Sequence, residues 1–174
     1  REHFGFVMAD VSGKGVPAAL FMAITRTLLK ATALFVTSPT SCMRKLNDLL
    51  AVENDQMMFV TIFYGVLHLP SGRVAYVNAG HNPPYLRRAD GTVEPVARTG
   101  GMAVAVSDGF VYREGMAQLA PGDLLFLYTD GITEAFDIDA QEYGDRRLEA
   151  VLRGLDGQGL EPADVCTAVL ADVR

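Results

Sequence analysis

One short stretch, Phe6–Ala19 (FVMADVSGKGVPAA), constrains this chain more than any other. It overlaps an apolar run, Phe4–Met8, that predicts a buried strand, and Asp10 follows at the strand's end. The segment Ser12–Gly15 is too small and flexible to favour a helix or a strand. Pro17 then stands where a helix can begin, because its missing N–H costs nothing in a first turn. This order of strand, acidic loop and helix start predicts a carboxylate held at the mouth of a site, although a plain turn fits the same residues.

The composition predicts one globular domain, with 174 residues, of which 49% are hydrophobic, and a net charge of −6. An acidic domain is a poor partner for a phosphate backbone, so we expect no nucleic-acid partner. The sequence shows no signal peptide and no long apolar span, so we expect a cytoplasmic location and no membrane contact. Cys42 and Cys166 lie far apart without metal-type spacing, which favours buried thiols over a disulfide or a zinc site.

Helices and strands are predicted in separate blocks. A long helix is predicted from Val16 to Phe35, and a second helix begins near Pro39. Arg26 and Lys30 mark the face of the long helix that is predicted to be exposed to solvent. Its apolar stripe, predicted to face the core, consists of Leu20, Ile24, Leu28, Ala31 and Phe35.

The remaining chain predicts hairpin-linked strands and then two closing helices, marked by apolar residues within Leu148–Leu155 and Val165–Val173. The predicted strands after the first are Met57–Leu69, Arg73–Asn78, Tyr85–Arg88, Thr92–Val96, Val111–Leu119 and Asp123–Thr129. Because helices and strands are segregated, we predict an α+β fold, an antiparallel β-sandwich flanked by helices, and not a doubly wound parallel sheet.

Two acids, Asp10 and Asp130, end apolar strands and are followed by small or flexible residues. A carboxylate at a buried strand end loses solvation unless a positive group meets it. Mg²⁺ or Mn²⁺ fits this place best, because hard cations prefer oxygen ligands. Each acid could instead cap the helix that follows it, and for Asp130 alone the two interpretations are equal. The pair together favours a metal site, and we expect the two carboxylates to converge in one cleft.

Other candidates carry less weight. The segment Ser12–Gly15 lacks the spacing of a nucleotide-binding P-loop. His81 lies in a loop beside two prolines, where a histidine is more often structural than catalytic. The spacings assemble no Ser-His-Asp or Cys-His set.

Four motifs in order carry a family resemblance, which runs from Phe4 to the end of the chain. They are ADVSGKGVPAA (Ala9–Ala19), MFVTIFY (Met58–Tyr64), YVNAGHNPP (Tyr76–Pro84) and LYTDGITEA (Leu127–Ala135). Together they resemble the SpoIIE-type branch of the metal-dependent PPM (protein phosphatase 2C-like) serine/threonine phosphatases. The resemblance implies a β-sandwich between helices, in α-β-β-α layers, which agrees with the fold predicted above.

The resemblance also implies a function. It implies hydrolysis of phosphoserine or phosphothreonine on a protein, in this branch an anti-sigma-factor antagonist, under the control of an upstream sensor or receiver domain. Two Mn²⁺ or Mg²⁺ ions would bind the phosphate and activate a bridging water. By match of motif, Asp10 would bridge both ions, the Val11 carbonyl would add a ligand, and Asp130 would hold one ion.

Two departures from the family pattern leave alternatives open. The family has a G-D-x-Y-D motif before the strand at Phe4 and a D-D-x-T motif beyond the position of Arg174, and this sequence contains neither. We therefore expect residues 1–174 to be a single PPM-type domain that lacks the first and last acidic motifs. The alternative is a pseudophosphatase that serves as a protein-binding module. A more remote one is a metal hydrolase of small phosphoesters.

Overall fold

The computed structural model describes residues 2–52, 54–155 and 160–174. The elements follow the predicted order of a strand, two helices, a block of strands and closing helices. The strands are β1 (His3–Val11), β2 (Val60–His68), β3 (Arg73–Ala79), β4 (Tyr85–Arg87), β5 (Val93–Pro95), β6 (Gly115–Gln118) and β7 (Leu124–Phe126). The helices are α1 (Gly15–Ala33), α2 (Pro39–Ala51), α3 (Asp130–Thr133), α4 (Gly144–Gly154) and α5 (Pro162–Val173).

The chain divides into two compact units, each with its own sheet and helices. The first unit comprises Arg1–His81 and Ala97–Gln118, and the second comprises Asn82–Val96 and Leu119–Arg174. Each pairing between named strands is antiparallel. The predicted α+β class, with antiparallel sheets flanked by helices, is therefore confirmed. The assignment of residues 1–174 to a single domain stays a prediction.

The sheet of the first unit has the strand order β1-β2-β3-β6. Strands β1 and β2 pair from His3 opposite His68 to Val11 opposite Val60, and β2 and β3 form the predicted hairpin. β1 is longer than the apolar run Phe4–Met8, because Asp10 and Val11 also pair with β2. This ladder fixes Asp10 opposite Thr61, because a change of register would turn every side chain of β1 to the other face.

The prediction of which face of α1 is buried was wrong except at Leu28, which packs against the core. Leu20, Ile24 and Phe35 are 60%, 51% and 86% exposed. The buried residues are instead Ala18, Thr25, Leu29 and Thr32. The helix is apolar around most of its circumference, so periodicity could not separate the two faces. Thr25 tolerates burial because its hydroxyl donates a hydrogen bond to the Phe21 carbonyl one turn earlier, at 2.8 Å.

By length and composition alone, α1 is also long and apolar enough to cross a membrane. The sequence itself predicts no such span. The core helix of a soluble protein passes the same test, so this is weak evidence for a membrane contact.

Helix α2 covers the core of the first unit as predicted. Ser38 caps it by accepting a hydrogen bond from the Ser41 amide at 3.4 Å, and Pro39 occupies its first turn. Cys42, Met43, Leu46 and Leu50 are buried against strands β2 and β3 in one cluster. The expectation of two buried thiols holds for Cys42 alone, since Cys166 on α5 is exposed; both are free.

The second unit contains a three-stranded sheet in the order β5-β4-β7, with α3, α4 and α5. The strand predicted over Val111–Leu119 is limited to β6, which pairs with β3 in the sheet of the first unit. Arg87 on β4 is buried, and its guanidinium donates to the carbonyls of Leu152 and Leu155 at the end of α4. The core consists of Tyr85, Val93, Phe126, Tyr128, Tyr143, Leu148, Leu152, Val165 and Val169.

Candidate functional site

Asp10 is the penultimate residue of β1 and is half-buried at the end of the sheet. Its main-chain carbonyl accepts a hydrogen bond from the Thr61 hydroxyl at 3.4 Å. Its carboxylate accepts no hydrogen bond and joins no ion pair in the part of the chain that the structure describes. The carboxylate is therefore held in position by the backbone of β1, and its oxygens are available to a ligand.

The loop that follows Asp10 is tied down and then turns sharply. The Ser12 amide donates to the Phe59 carbonyl, and the Phe59 amide donates to the Ser12 hydroxyl, both at 2.9 Å. Gly13 and Gly15 have φ values of +85° and +78°, a region that residues with a Cβ rarely adopt. The short loop between β1 and α1 depends on these two glycines, as the sequence predicts.

Thr61 joins the Asp10 segment to the loop after β3. Its hydroxyl lies 2.9 Å from Nδ1 of His81, and His81 is only 2% exposed. The Asn78 side chain donates to the His81 carbonyl and accepts from the His81 amide, at 3.0 and 2.8 Å. His81 is therefore rigidly held in the first unit, in agreement with the structural role that the sequence favours.

Asp130 lies in the second unit, at the first position of the four-residue helix α3. Its carbonyl accepts from the Glu134 amide at 2.7 Å, and its carboxylate makes no hydrogen bond or ion pair with any residue that the structure describes. Neither Asp130 nor Asp10 caps a helix through its side chain within those residues. The alternative that both acids are only helix caps therefore has no support in the described contacts.

Tyr128 anchors the segment that carries Asp130. Its ring stacks against Tyr85 and Phe126, with centroids 5.9 and 6.2 Å away. Its hydroxyl donates to the Asp145 carboxylate in the first turn of α4 at 2.9 Å. Burial, and then the bond to Asp145, raise the pKa of Tyr128, so the phenol keeps its proton as the donor.

The donor chemistry of Asp10 and Asp130 fits Mn²⁺ or Mg²⁺, because both supply carboxylate oxygens without a protein partner among the described residues. Within residues 2–52, 54–155 and 160–174, no group of three or more histidine, cysteine, aspartate or glutamate side chains is placed to hold a metal. The convergence of Asp10 with Asp130 stays a prediction, and so does the role of the Val11 carbonyl.

A known protein family matches this chain along its whole length. The family model described as stage II sporulation protein E (SpoIIE) matches residues 1–174. The chain belongs to this family. The resemblance carried by the four motifs is thus confirmed for the whole sequence.

Two kinds of relative support this membership. The chain is 30% identical over 135 residues to phosphoserine phosphatase RsbU of Bacillus subtilis, an alignment that covers 77% of this chain and 40% of RsbU. It also matches the solved RsbU and RsbW domains of a Mycobacterium tuberculosis protein, with a TM-score of 0.80 and 26% identity over 99% of this chain and 47% of that one. The chain therefore spans less than half the length of either relative.

A third match bears on the fold alone. The PP2C phosphatase domain of Bacillus subtilis SpoIIE, solved with a fragment of its regulatory domain, superposes with a TM-score of 0.83 at 19% identity. This match covers 98% of this chain and 49% of that one. The predicted PPM-type fold is confirmed.

Sequence reasoning missed several residues that position the two acids. Thr61 lies within the MFVTIFY motif, but that motif gave it no role, and the stack of Tyr128 on Tyr85 joins residues far apart in sequence. The YVNAGHNPP motif did mark His81 and Asn78, but it did not indicate that His81 contacts Thr61. Register between β1 and β2 was the missing information, since it places Thr61 opposite Asp10.

Proposed function

We propose that this chain is the phosphatase domain of a metal-dependent protein serine/threonine phosphatase that acts in bacterial sigma-factor regulation. Its substrate would be a phosphoserine or phosphothreonine on an anti-sigma-factor antagonist, in the cytoplasm, under an upstream sensor or receiver domain. The observation that carries the proposal is the half-buried Asp10 carboxylate, unpaired among the described residues and held at the end of β1 in a SpoIIE-family chain. RsbU, which is named a phosphoserine phosphatase, supports the reaction type.

In this proposal Asp10, the Val11 carbonyl and Asp130 would hold two Mn²⁺ or Mg²⁺ ions. Such ions lower the pKa of a bound water and stabilise the charge of an in-line displacement at phosphorus. The chain's own contribution is positional: the β1–β2 ladder and the Ser12–Phe59 bonds keep Asp10 and Val11 in place. No nucleophilic side chain is required, which fits a sequence that predicts no catalytic triad.

The test is turnover of a serine-phosphorylated antagonist protein by the intact protein, with Mn²⁺ and with chelator. We expect release of phosphate that depends on Mn²⁺ and disappears with the chelator. A nucleotide and a small aryl phosphate serve as competing substrates. Faster hydrolysis of these than of the phosphoprotein would favour a hydrolase of small phosphoesters.

One observation favours a second candidate, a pseudophosphatase that binds its partner without turnover. The described residues contain no cluster of three or more potential metal-ligating side chains, and Mn²⁺ affinity depends strongly on the number of anionic ligands. Calorimetry with Mn²⁺ on residues 1–174 should therefore show weak binding. Tight binding by the intact protein would support the phosphatase. Weak binding by the intact protein, with retained affinity for the phosphoprotein, would support the pseudophosphatase.

A further inference from the structure

Three strand termini of the first unit lie at the same end of its sheet. β1 ends at Val11, β2 begins at Val60 and β3 ends at Ala79. The register places Asp10 opposite Thr61 and Ile62 opposite Ala79. His81, two residues beyond β3, therefore lies beside Thr61, and Thr61 lies between His81 and the strand end that carries Asp10.

Both contacts of Thr61 can be hydrogen bonds in one donor order only. A hydroxyl has a single hydrogen, so Thr61 cannot donate to both of its neighbours. A main-chain carbonyl can only accept, so when Thr61 donates to the Asp10 carbonyl it must accept from Nδ1–H of His81. This arrangement selects the His81 tautomer with a proton on Nδ1, in the way that hydrogen-bond partners generally fix histidine tautomers.

His81 is built into the fold as a fixed donor. Its ring is buried, and both main-chain polar groups of the residue are bonded to the Asn78 side chain. Asn78 is fixed in turn by the Thr99 hydroxyl. This hydroxyl accepts a hydrogen bond from the Asn78 main-chain amide and donates one to the Asn78 main-chain carbonyl, both at 3.1 Å. A ring held in this way keeps the direction of its Nδ1–H and thereby the orientation of the Thr61 hydroxyl.

We propose that Thr61 and His81 are positioning residues for the metal ligands at Asp10 and Val11. The Asp10 carbonyl and the Val11 nitrogen belong to one planar peptide group. The hydrogen bond from the Thr61 hydroxyl adds to the β1–β2 ladder in holding the rotation of this plane, and the plane connects the Asp10 carboxylate with the Val11 carbonyl. This role rests on the proposed function, because it needs Asp10 and Val11 to be ligands. Partners that orient metal ligands are commonly worth 10- to 100-fold in metal affinity.

The test compares two pairs of variants in the intact protein. Thr61→Val removes the hydroxyl and keeps the shape, whereas Thr61→Ser keeps the hydroxyl. His81→Phe removes the donor, whereas His81→Asn keeps an amide near the place of Nδ1. We would measure the dissociation constant of Mn²⁺ by calorimetry, kcat at saturating Mn²⁺, and the carbonyl ¹³C chemical shift of Asp10 without metal.

We expect Thr61→Val and His81→Phe to weaken Mn²⁺ binding roughly tenfold, and Thr61→Ser and His81→Asn to stay within about twofold of wild type. The carbonyl ¹³C shift of Asp10 should move in Thr61→Val and His81→Phe but not in Thr61→Ser and His81→Asn. A purely structural role would not produce this difference. Unchanged Mn²⁺ affinity in Thr61→Val, or equal losses in Thr61→Val and Thr61→Ser, would overturn the positioning role while wild-type turnover persists. Absence of Mn²⁺-dependent hydrolysis in the wild-type protein would instead overturn the proposed function, and the positioning role with it.

Discussion

The two units hold their candidate metal ligands by different means. Asp10 lies in a nine-residue strand that pairs with β2 along its whole length, and main-chain and hydroxyl groups fix the residues around it. Asp130 begins a four-residue helix after a three-residue strand, and the aromatic side chain of Tyr128 anchors that segment. Movement of Asp10 requires the end of β1 to separate from β2, whereas Asp130 lies in a single helical turn outside any strand. We therefore expect Asp10 to be the fixed ligand of the proposed site and Asp130 the adjustable one.

The largest expected effect separates these two roles. Asp10→Asn in the intact protein should reduce Mn²⁺-dependent turnover to background at every Mn²⁺ concentration, because the ligand proposed to bridge both ions is lost. Asp130→Asn should retain partial turnover at high Mn²⁺, because it affects one ion only. The measurement is phosphate release against Mn²⁺ concentration, with circular dichroism to show that folding is unchanged.

Asp55→Asn is the matched control, since Asp55 is an exposed acid of the same unit as Asp10. Unchanged activity in Asp10→Asn would refute its assignment as a ligand. Equal and complete loss in both the Asp10 and Asp130 variants would remove the distinction between fixed and adjustable ligand.

The second effect concerns the stability of the second unit. Arg87→Met should lower the free energy of unfolding by about 3 kcal/mol, because two carbonyls at the end of α4, one buried and one partly buried, lose their donor. Hydrogen exchange should accelerate in α4 and stay unchanged in the β1–β2 ladder. Arg146→Met, at an exposed position of α4, is the control. Acceleration in β1 as large as in α4 would show that the units do not open independently.

The third effect is a pH dependence in the second unit. The Asp123 side chain is 4% exposed and accepts hydrogen bonds from Arg88 and from the Ala89 and Ala120 amides. Burial alone would raise the pKa of Asp123, but these hydrogen bonds and the Arg88 charge outweigh it and lower that pKa below its ordinary value. A lowered pKa contributes stability above the unfolded-state pKa, about 3.9, and this stability is lost as the pH falls through the folded-state pKa.

Asp123→Asn should therefore be less stable than wild type at pH 7, and the difference should shrink as the pH falls below about 4. Urea unfolding at several pH values measures the difference, with Asp55→Asn as the control. A difference that stays constant from pH 7 to acid would show that Asp123 contributes through packing and not through its charge.

Local signals in the sequence predicted the fold well. The adjacent strand patterns of Met57–Leu69 and Arg73–Asn78 predicted the β2–β3 hairpin, and Pro39 marked the start of α2. Asp10 and Asp130 were also found locally, since each follows an apolar run. The hairpin and helix predictions succeeded because the relevant interactions lie within a few residues of each other, whereas the ligand roles of Asp10 and Asp130 stay predictions.

Contacts between distant residues could not be predicted in the same way. Arg87 was one member of an Arg-Arg pair on a short strand, and only the tertiary structure brings it to the end of α4. The link from His81 through Thr61 to Asp10 depends on the register of two strands separated by two helices. The buried face of α1 was mistaken for a related reason, because nearly all of its faces are apolar and only the sheet determines which one is covered.

The smallest expected effect is that of Leu20→Ala, which tests the corrected burial of α1. Leu20 and Leu29 are the same residue type on the same helix, but Leu20 is 60% exposed and Leu29 only 6%. Leu29→Ala should lower the free energy of unfolding of this chain by about 2–4 kcal/mol, because it leaves a cavity in the core of the first unit. Leu20→Ala should change it by less than about 0.5 kcal/mol, since its side chain contributes little buried area. Urea unfolding of both variants measures the difference directly, and each variant controls for the helix propensity of the other. Equal losses would show that the stripe through Leu20 is buried after all. In that case α1 would pack through both faces, and the first unit would hold Asp10 through the helix as well as through the sheet.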